Sequence, residues 1–135
     1  MRKFYIFIIS CLLLITLLTS QVNVVHAQTS DRIVYDYVFL IDISGSMENG
    51  SPSLFSQVQE VASNFVRRLP NGSNLSIFTF DGFVSHLGRW DSLTESTRQN
   101  VISEIRSLST KGGYTALWDA ICVGVDEMEK MNNSD

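Results

Sequence analysis

Val38-Phe39-Leu40-Ile41-Asp42-Ile43-Ser44-Gly45-Ser46-Met47 is the stretch that decides the fold. Four apolar residues run straight into Asp-x-Ser-Gly-Ser. The apolar part reads as a strand buried on both faces, as in the middle of a parallel sheet. The polar part falls where that strand must end. It offers one carboxylate and two hydroxyls at every second position, with a glycine to let the backbone turn. Small oxygen donors on a tight loop at the carboxyl end of a strand suit a hard cation.

Outward from this run, the pattern alternates strands and helices. Residues 33–42 form the expected first strand, and 44–53 a loop rich in Ser, Gly and Asn, with Pro52 placed for a helix start. Leu54, Val58, Val61, Phe65 and Leu69 recur at helical spacing, so 54–69 reads as an amphipathic helix. Pro70-Asn71-Gly72 stops it. Residues 75–80 and 83–90 are β-rich and flank Asp81-Gly82, which predicts a hairpin and an antiparallel third strand. Ser92-Leu93-Thr94-Glu95 is a capping-box pattern before a helix carrying Val101, Ile105 and Leu108. After the turn Lys111-Gly112-Gly113-Tyr114, Thr115 opens a last helix with Leu117, Ile121, Val125 and Met128 on one face. A helix between the first two strands implies a parallel crossover, and hence an α/β layered fold.

The start of the chain reads differently. Arg2-Lys3, an apolar run over 4–18 and Val25-His26-Ala27 form a secretory signal pattern with cleavage after Ala27. The apolar run falls short of the roughly 20 residues a spanning helix needs. Residues 1–27 are therefore expected to be a signal peptide, 28–34 a polar lead-in and 35–135 one domain. No membrane span is expected after cleavage, and the product is expected to be secreted, periplasmic or on the cell surface. Without Arg2 and Lys3, eight basic residues face fourteen acidic ones, a net charge of about −6. No basic patch stands out, so nucleic acid is not an expected partner. Cys122 is the single cysteine after the leader, and its apolar helical setting predicts a small buried hydrophobe.

In a doubly wound sheet, loops at the carboxyl ends of strands converge. Asp42, Ser44 and Ser46 are then joined by Thr115, which follows a glycine turn. A cation held mostly by hydroxyls keeps much of its charge and an open position, which suits Mg2+ or Mn2+. An acidic side chain from a protein partner would fill that position. The same residues also admit a plainer reading. Ser44 and Ser46 can be loop residues, Ser51 or Ser53 a helix cap, and Thr115 the N-cap of the last helix.

The run from Phe39 to Met47 resembles the start of a von Willebrand factor type A domain. Gly112-Gly113-Tyr114-Thr115-Ala116-Leu117-Trp118-Asp119-Ala120-Ile121 resembles that family's second motif, and residues 75–82 its second strand and hairpin. The resemblance covers roughly residues 35–131. It implies a doubly wound, Rossmann-like α/β fold with strands in the order 3-2-1, the third antiparallel, and helices on both faces. It also implies a metal-ion-dependent adhesion site built from Asp42, Ser44, Ser46 and Thr115. The family's site has a further Asp after a fourth strand, and its sheet runs 3-2-1-4-5-6. The sequence reaches residue 135 before any such strand, so it reads as part of a longer domain whose first strand is left as an edge.

Two other functions compete with a binding module. Asp-x-Ser-Gly-Ser superficially resembles the Asp-x-Asp-Gly-Thr of haloacid-dehalogenase-like phosphatases, where the first Asp is the nucleophile. Ser44 stands in place of the second Asp, which removes the expected general acid, and Gly-Gly-Tyr-Thr has no role in that scheme. The third possibility is a fragment with no independent function. Neither Ser-His-Asp nor Cys-His sets are visible, since His86 is the single histidine after the leader. His86 is expected to be structural or exposed, Asp81 to be a turn residue, and Trp118 and Trp90 to serve packing. The expectation is a non-enzymatic module.

Overall fold

The computed structural model describes residues 33–133. The leader over 1–27, its cleavage point, the lead-in to residue 32, and Ser134 and Asp135 lie outside the described residues. Three strands and three helices follow in the order β1 (Asp36–Asp42), α1 (Leu54–Arg68), β2 (Asn74–Phe80), β3 (Val84–Trp90), α2 (Glu95–Ser107) and α3 (Leu117–Asn132), with a short 3-10 turn at Gly45–Glu48. No helix among these residues is long and apolar enough to cross a membrane.

The sheet has the order β1-β2-β3. β1 runs parallel to β2, with Asp36 beside Asn74 and Asp42 beside Phe80. β3 is antiparallel to β2, as the Asp81-Gly82 hairpin predicts, with an irregularity at Ile77/Phe78. Gly88 is needed next to it, because a Cβ there would lie 2.7 Å from the Trp90 ring.

Side chains alternate across a strand, and the two faces take different helices. Ile41, Ile43, Leu75 and Ile77 join Phe55, Val66, Leu69, Val101, Ile102 and Ile105 in one core with α1 and α2. Phe65 reaches over this face, edge-on to Phe39 with ring centroids 5.3 Å apart. The opposite face meets α3, whose Gly124 admits Leu40: a Cβ at that glycine would approach the leucine methyls to 3.2 Å.

Helix ends are closed by long side chains as well as caps. Ser53 caps α1 by accepting from the Ser56 N–H. The capping box of α2 is Thr94 with Thr97, two residues beyond the expected Ser92 and Glu95. Ser92 adopts φ 54°, and its N–H is taken by Asn74 Oδ1, so it serves the turn. Buried Arg98 donates to the Leu69 carbonyl, to Asn71 Oδ1 and to Glu95. Gln59 returns the favour by donating to the carbonyls of Ile105 and Leu108 at the end of α2.

Among the described residues β1 is an edge strand, as the sequence reading expects. Both expected helical stripes turn toward its open side. Leu54, Val61 and Phe65 of α1, and Leu117, Ile121, Val125 and Met128 of α3, are exposed. The residues α3 buries are Ala120, Gly124, Glu127 and Met131. The result is a groove on each side of β1. One, of about 630 Å³, lies between β1 and α3, and the other, of about 530 Å³, between β1 and α1. Cys122 is exposed, contrary to expectation, because it falls on the outer side of α3.

Among the described residues three buried side-chain polar atoms lack a hydrogen-bond partner, Ser63 Oγ, Ser73 Oγ and Arg98 Nε. The Ser63 hydroxyl is buried in α1. An unpaired buried hydroxyl costs stability, and alanine is the better helix former. Ser63→Ala is therefore expected to raise the unfolding free energy by about 1 kcal/mol. Urea denaturation measures it, and a destabilised variant would show that the hydroxyl is paired in solution.

Candidate metal centre

The site begins where β1 and β2 end together. Asp42 and Phe80 are register partners, and the Ile43 N–H donates to the Phe80 carbonyl at 2.9 Å. Past that point β1 turns. The Ser44 N–H donates to Asp42 Oδ1 at 2.8 Å, which holds the carboxylate back over the loop. The 3-10 turn follows, closed by Met47 N–H to the Ser44 carbonyl at 3.0 Å. This turn brings the Ser44 and Ser46 hydroxyl oxygens to 3.1 Å from one another. Ser44 is buried and Ser46 exposed, so the pair opens to solvent on the Ser46 side.

Residues 111–116 cross the same sheet edge and are tied at both ends by backbone bonds. Lys111 N–H donates to the Ile43 carbonyl at 2.6 Å, in a parallel bridge beside Ser44. Ala116 N–H donates to the Asp81 carbonyl at 2.6 Å. Between these ties the chain lies close to its neighbours. A Cβ on Gly45 would sit 3.6 Å from Gly112 Cα, and one on Gly113 (φ 148°) would sit 3.6 Å from the Gly82 nitrogen. The Thr110 hydroxyl also donates to Glu48, joining the two loops through side chains.

Thr115 stands one residue before the second tie. The N-cap of α3 is Ala116, with no side-chain cap, so Thr115 does not serve as the cap that the plainer reading allows. Among the described residues its hydroxyl has no hydrogen-bond partner. It shares the loop edge with Asp42, Ser44 and Ser46 and makes no hydrogen bond to them.

The donor chemistry fits a hard cation. Oxygens at adjacent corners of an octahedron with bonds near 2.1 Å lie roughly 3.0 Å apart, and the two serine hydroxyls stand at 3.1 Å. No group of three or more His, Cys, Asp or Glu among the described residues could hold a metal. The arrangement is thus one carboxylate with hydroxyls, a set that suits Mg2+ or Mn2+ better than a soft metal.

His86 lies elsewhere, on β3, stacked on Phe78 with its Nε2 3.1 Å from the Ser76 hydroxyl. Asp81 is the turn residue expected, with Oδ1 accepting from the Phe83 N–H. Trp90 packs against the core, whereas Trp118 does not pack as expected and is exposed. Helical periodicity carries no information at the first turn of α3, where no layer covers the ring. The backbone ties at Lys111 and Ala116 were invisible in the sequence, because no residue type marks a main-chain hydrogen bond.

The sequence matches the von Willebrand factor type A domain family over residues 37–135. Among curated proteins none matches the chain. Solved structures share the fold. An uncharacterized membrane spanning protein from Vibrio fischeri superposes with TM-score 0.62 at 17% identity, over 74% of this chain and 52% of that one. A von Willebrand factor type A protein from Catenulispora acidiphila gives TM-score 0.53 at 17% identity, over 60% and 20%. Proximal thread matrix protein 1 from the mussel byssus, with a zinc-occupied MIDAS motif, gives 0.54 at 17%, over 64% and 23%. The chain spans about half of the first of these structures and less than a quarter of the other two.

Proposed function

The chain belongs to the von Willebrand factor type A family, and on that premise we propose that it is a binding module whose loop edge captures an acidic side chain of a partner protein through a divalent cation. Asp42, Ser44, Ser46 and Thr115 are the residues assigned to hold the cation. The observation that carries this reading is the convergence of the Ser44 and Ser46 hydroxyls beside a carboxylate already fixed by its own loop. When bound, the cation supplies positive charge and an open coordination position to the incoming carboxylate. The residues of the chain do the rest. The Ser44 N–H orients Asp42, the glycine turns let the two loops approach, and the exposed Ser46 leaves a solvent path. The zinc-occupied motif of the mussel protein supports a divalent cation in this fold, and the donor set here favours Mg2+ or Mn2+. The leader pattern over 1–27 supports a site of action outside the cytoplasm.

The test uses Mn2+ alone first. Electron paramagnetic resonance on the full chain is expected to show about one bound Mn2+, displaced by excess Mg2+. A synthetic peptide carrying one Asp should then bind only in the presence of the cation, and its Asn counterpart not at all. Peptide binding that persists unchanged in chelator would remove the metal from the mechanism.

A further inference from the structure

The three most exposed aromatic side chains of the described residues sit on adjoining segments of the loop edge. Phe83 is 80% exposed, Tyr114 90% and Trp118 78%. Phe83 belongs to the β2–β3 turn, Tyr114 to the glycine loop and Trp118 to the first turn of α3. The backbone joins these segments: Ala116 N–H donates to the Asp81 carbonyl at 2.6 Å, and a Cβ on Gly82 would lie 3.9 Å from the Tyr114 carbonyl. Rings of this size expose a large apolar area, and none of the three pairs with another ring among the described residues.

The β2–β3 turn and the first turn of α3 carry carboxylates, while the one cation of these segments, Lys111, stands at the far end of the glycine loop, where its N–H is tied to Ile43. Asp81 lies in the turn and Asp119 follows Trp118. Neither forms a salt bridge among the described residues, where the ion pairs are Arg89 with Asp91 and Glu127, and Arg98 with Glu95. Open aromatic faces beside unpaired carboxylates are complementary to a cation. A purely apolar occupant would strip water from both carboxylates without pairing them. An anionic surface or phosphate would be repelled by them and by the net charge of −4.

We propose that Phe83, Tyr114 and Trp118, with Asp81 and Asp119, form a second subsite that receives an arginine side chain of a partner protein. Arginine is favoured over lysine because its planar guanidinium both stacks on a ring and forks to a carboxylate. This subsite lies on the proposed cation-binding edge but does not need the cation, so it stands or falls separately.

The experiment titrates the full chain, in chelator, with a short Gly-Ser peptide bearing two arginines. The probe is the indole N–H resonance of Trp118, assigned by its absence in Trp118→Ala. The resonance is expected to shift with the arginine peptide, and the citrulline peptide, which keeps the shape but loses the charge, should bind at least about fivefold more weakly. Trp118→Ala with Tyr114→Ala should weaken arginine-peptide binding, followed by calorimetry, by about tenfold, and Asp119→Asn by a few-fold. Glu60→Gln, which removes an exposed carboxylate of α1 outside both sites, should leave it unchanged. Equal binding of the citrulline peptide, unchanged binding to the double aromatic variant, or binding seen only with metal present would each overturn the subsite. The last two outcomes leave the Asp42 reading untouched.

Discussion

Truncating Ile77 to Ala is expected to lower the unfolding free energy by about 3–4 kcal/mol, whereas truncating Val61 to Ala costs less than about 1 kcal/mol. Both residues look alike in the sequence, each a β-branched aliphatic in a strongly patterned element. Ile77 is 0% exposed on the central strand, enclosed by the core that α1 and α2 share. Its removal leaves a cavity that neighbours from three elements cannot collapse to fill. Val61 is 68% exposed on the side of α1 that overlooks the open edge of β1. A domain of this size has a total stability on the order of 5–15 kcal/mol, so the first change consumes a large part of it. Urea denaturation of both variants measures the contrast. Equal losses would mean that the grooves beside β1 are filled in solution and that Val61 is packed.

That contrast marks how far the sequence could be read. The elements themselves were legible, because each is bounded by a strong local signal: Pro70-Asn71-Gly72 after α1, Asp81-Gly82 between β2 and β3, the glycines before α3. Periodicity also found an apolar stripe on α1 and on α3. What periodicity cannot supply is which part of a stripe meets the core. Leu54, Val61, Phe65, Ile121 and Val125 lie toward a strand edge that carries no neighbour among the described residues, so apolar residues there remain open. Capping failed by two residues for a similar reason. Ser92 and Thr94 both offer a hydroxyl, and the choice falls to Thr94 because Asn74, distant in sequence, claims the Ser92 N–H. In the candidate site, the mutual approach of Asp42, Ser44 and Ser46 was legible because it is local to one turn. The approach of residues 111–116 depends on main-chain bonds to Ile43 and Asp81, which no pattern of side chains encodes.

Thr115→Ala is expected to weaken Mn2+ binding by about tenfold while changing stability by less than about 0.5 kcal/mol. Asp42→Ala should weaken it by at least about a hundredfold, since it removes both the charge in the set and the acceptor that holds the Ser44 N–H at 2.8 Å. Ser44→Ala falls close to Asp42→Ala, because its hydroxyl is buried and water cannot readily take its place. Ser46→Ala should be milder, as its exposed position admits a substituting water. The order of these losses separates the alternatives that the sequence left open. If Ser44 and Ser46 are loop residues alone, all four variants bind Mn2+ alike and differ only in stability. If the cation is held by the first loop alone, Asp42→Ala and Ser44→Ala lose it while Thr115→Ala does not. Thr115 is the most informative position. It neither caps α3 nor hydrogen-bonds to any described residue, so a loss of affinity there has no structural explanation other than contact with the cation or its water.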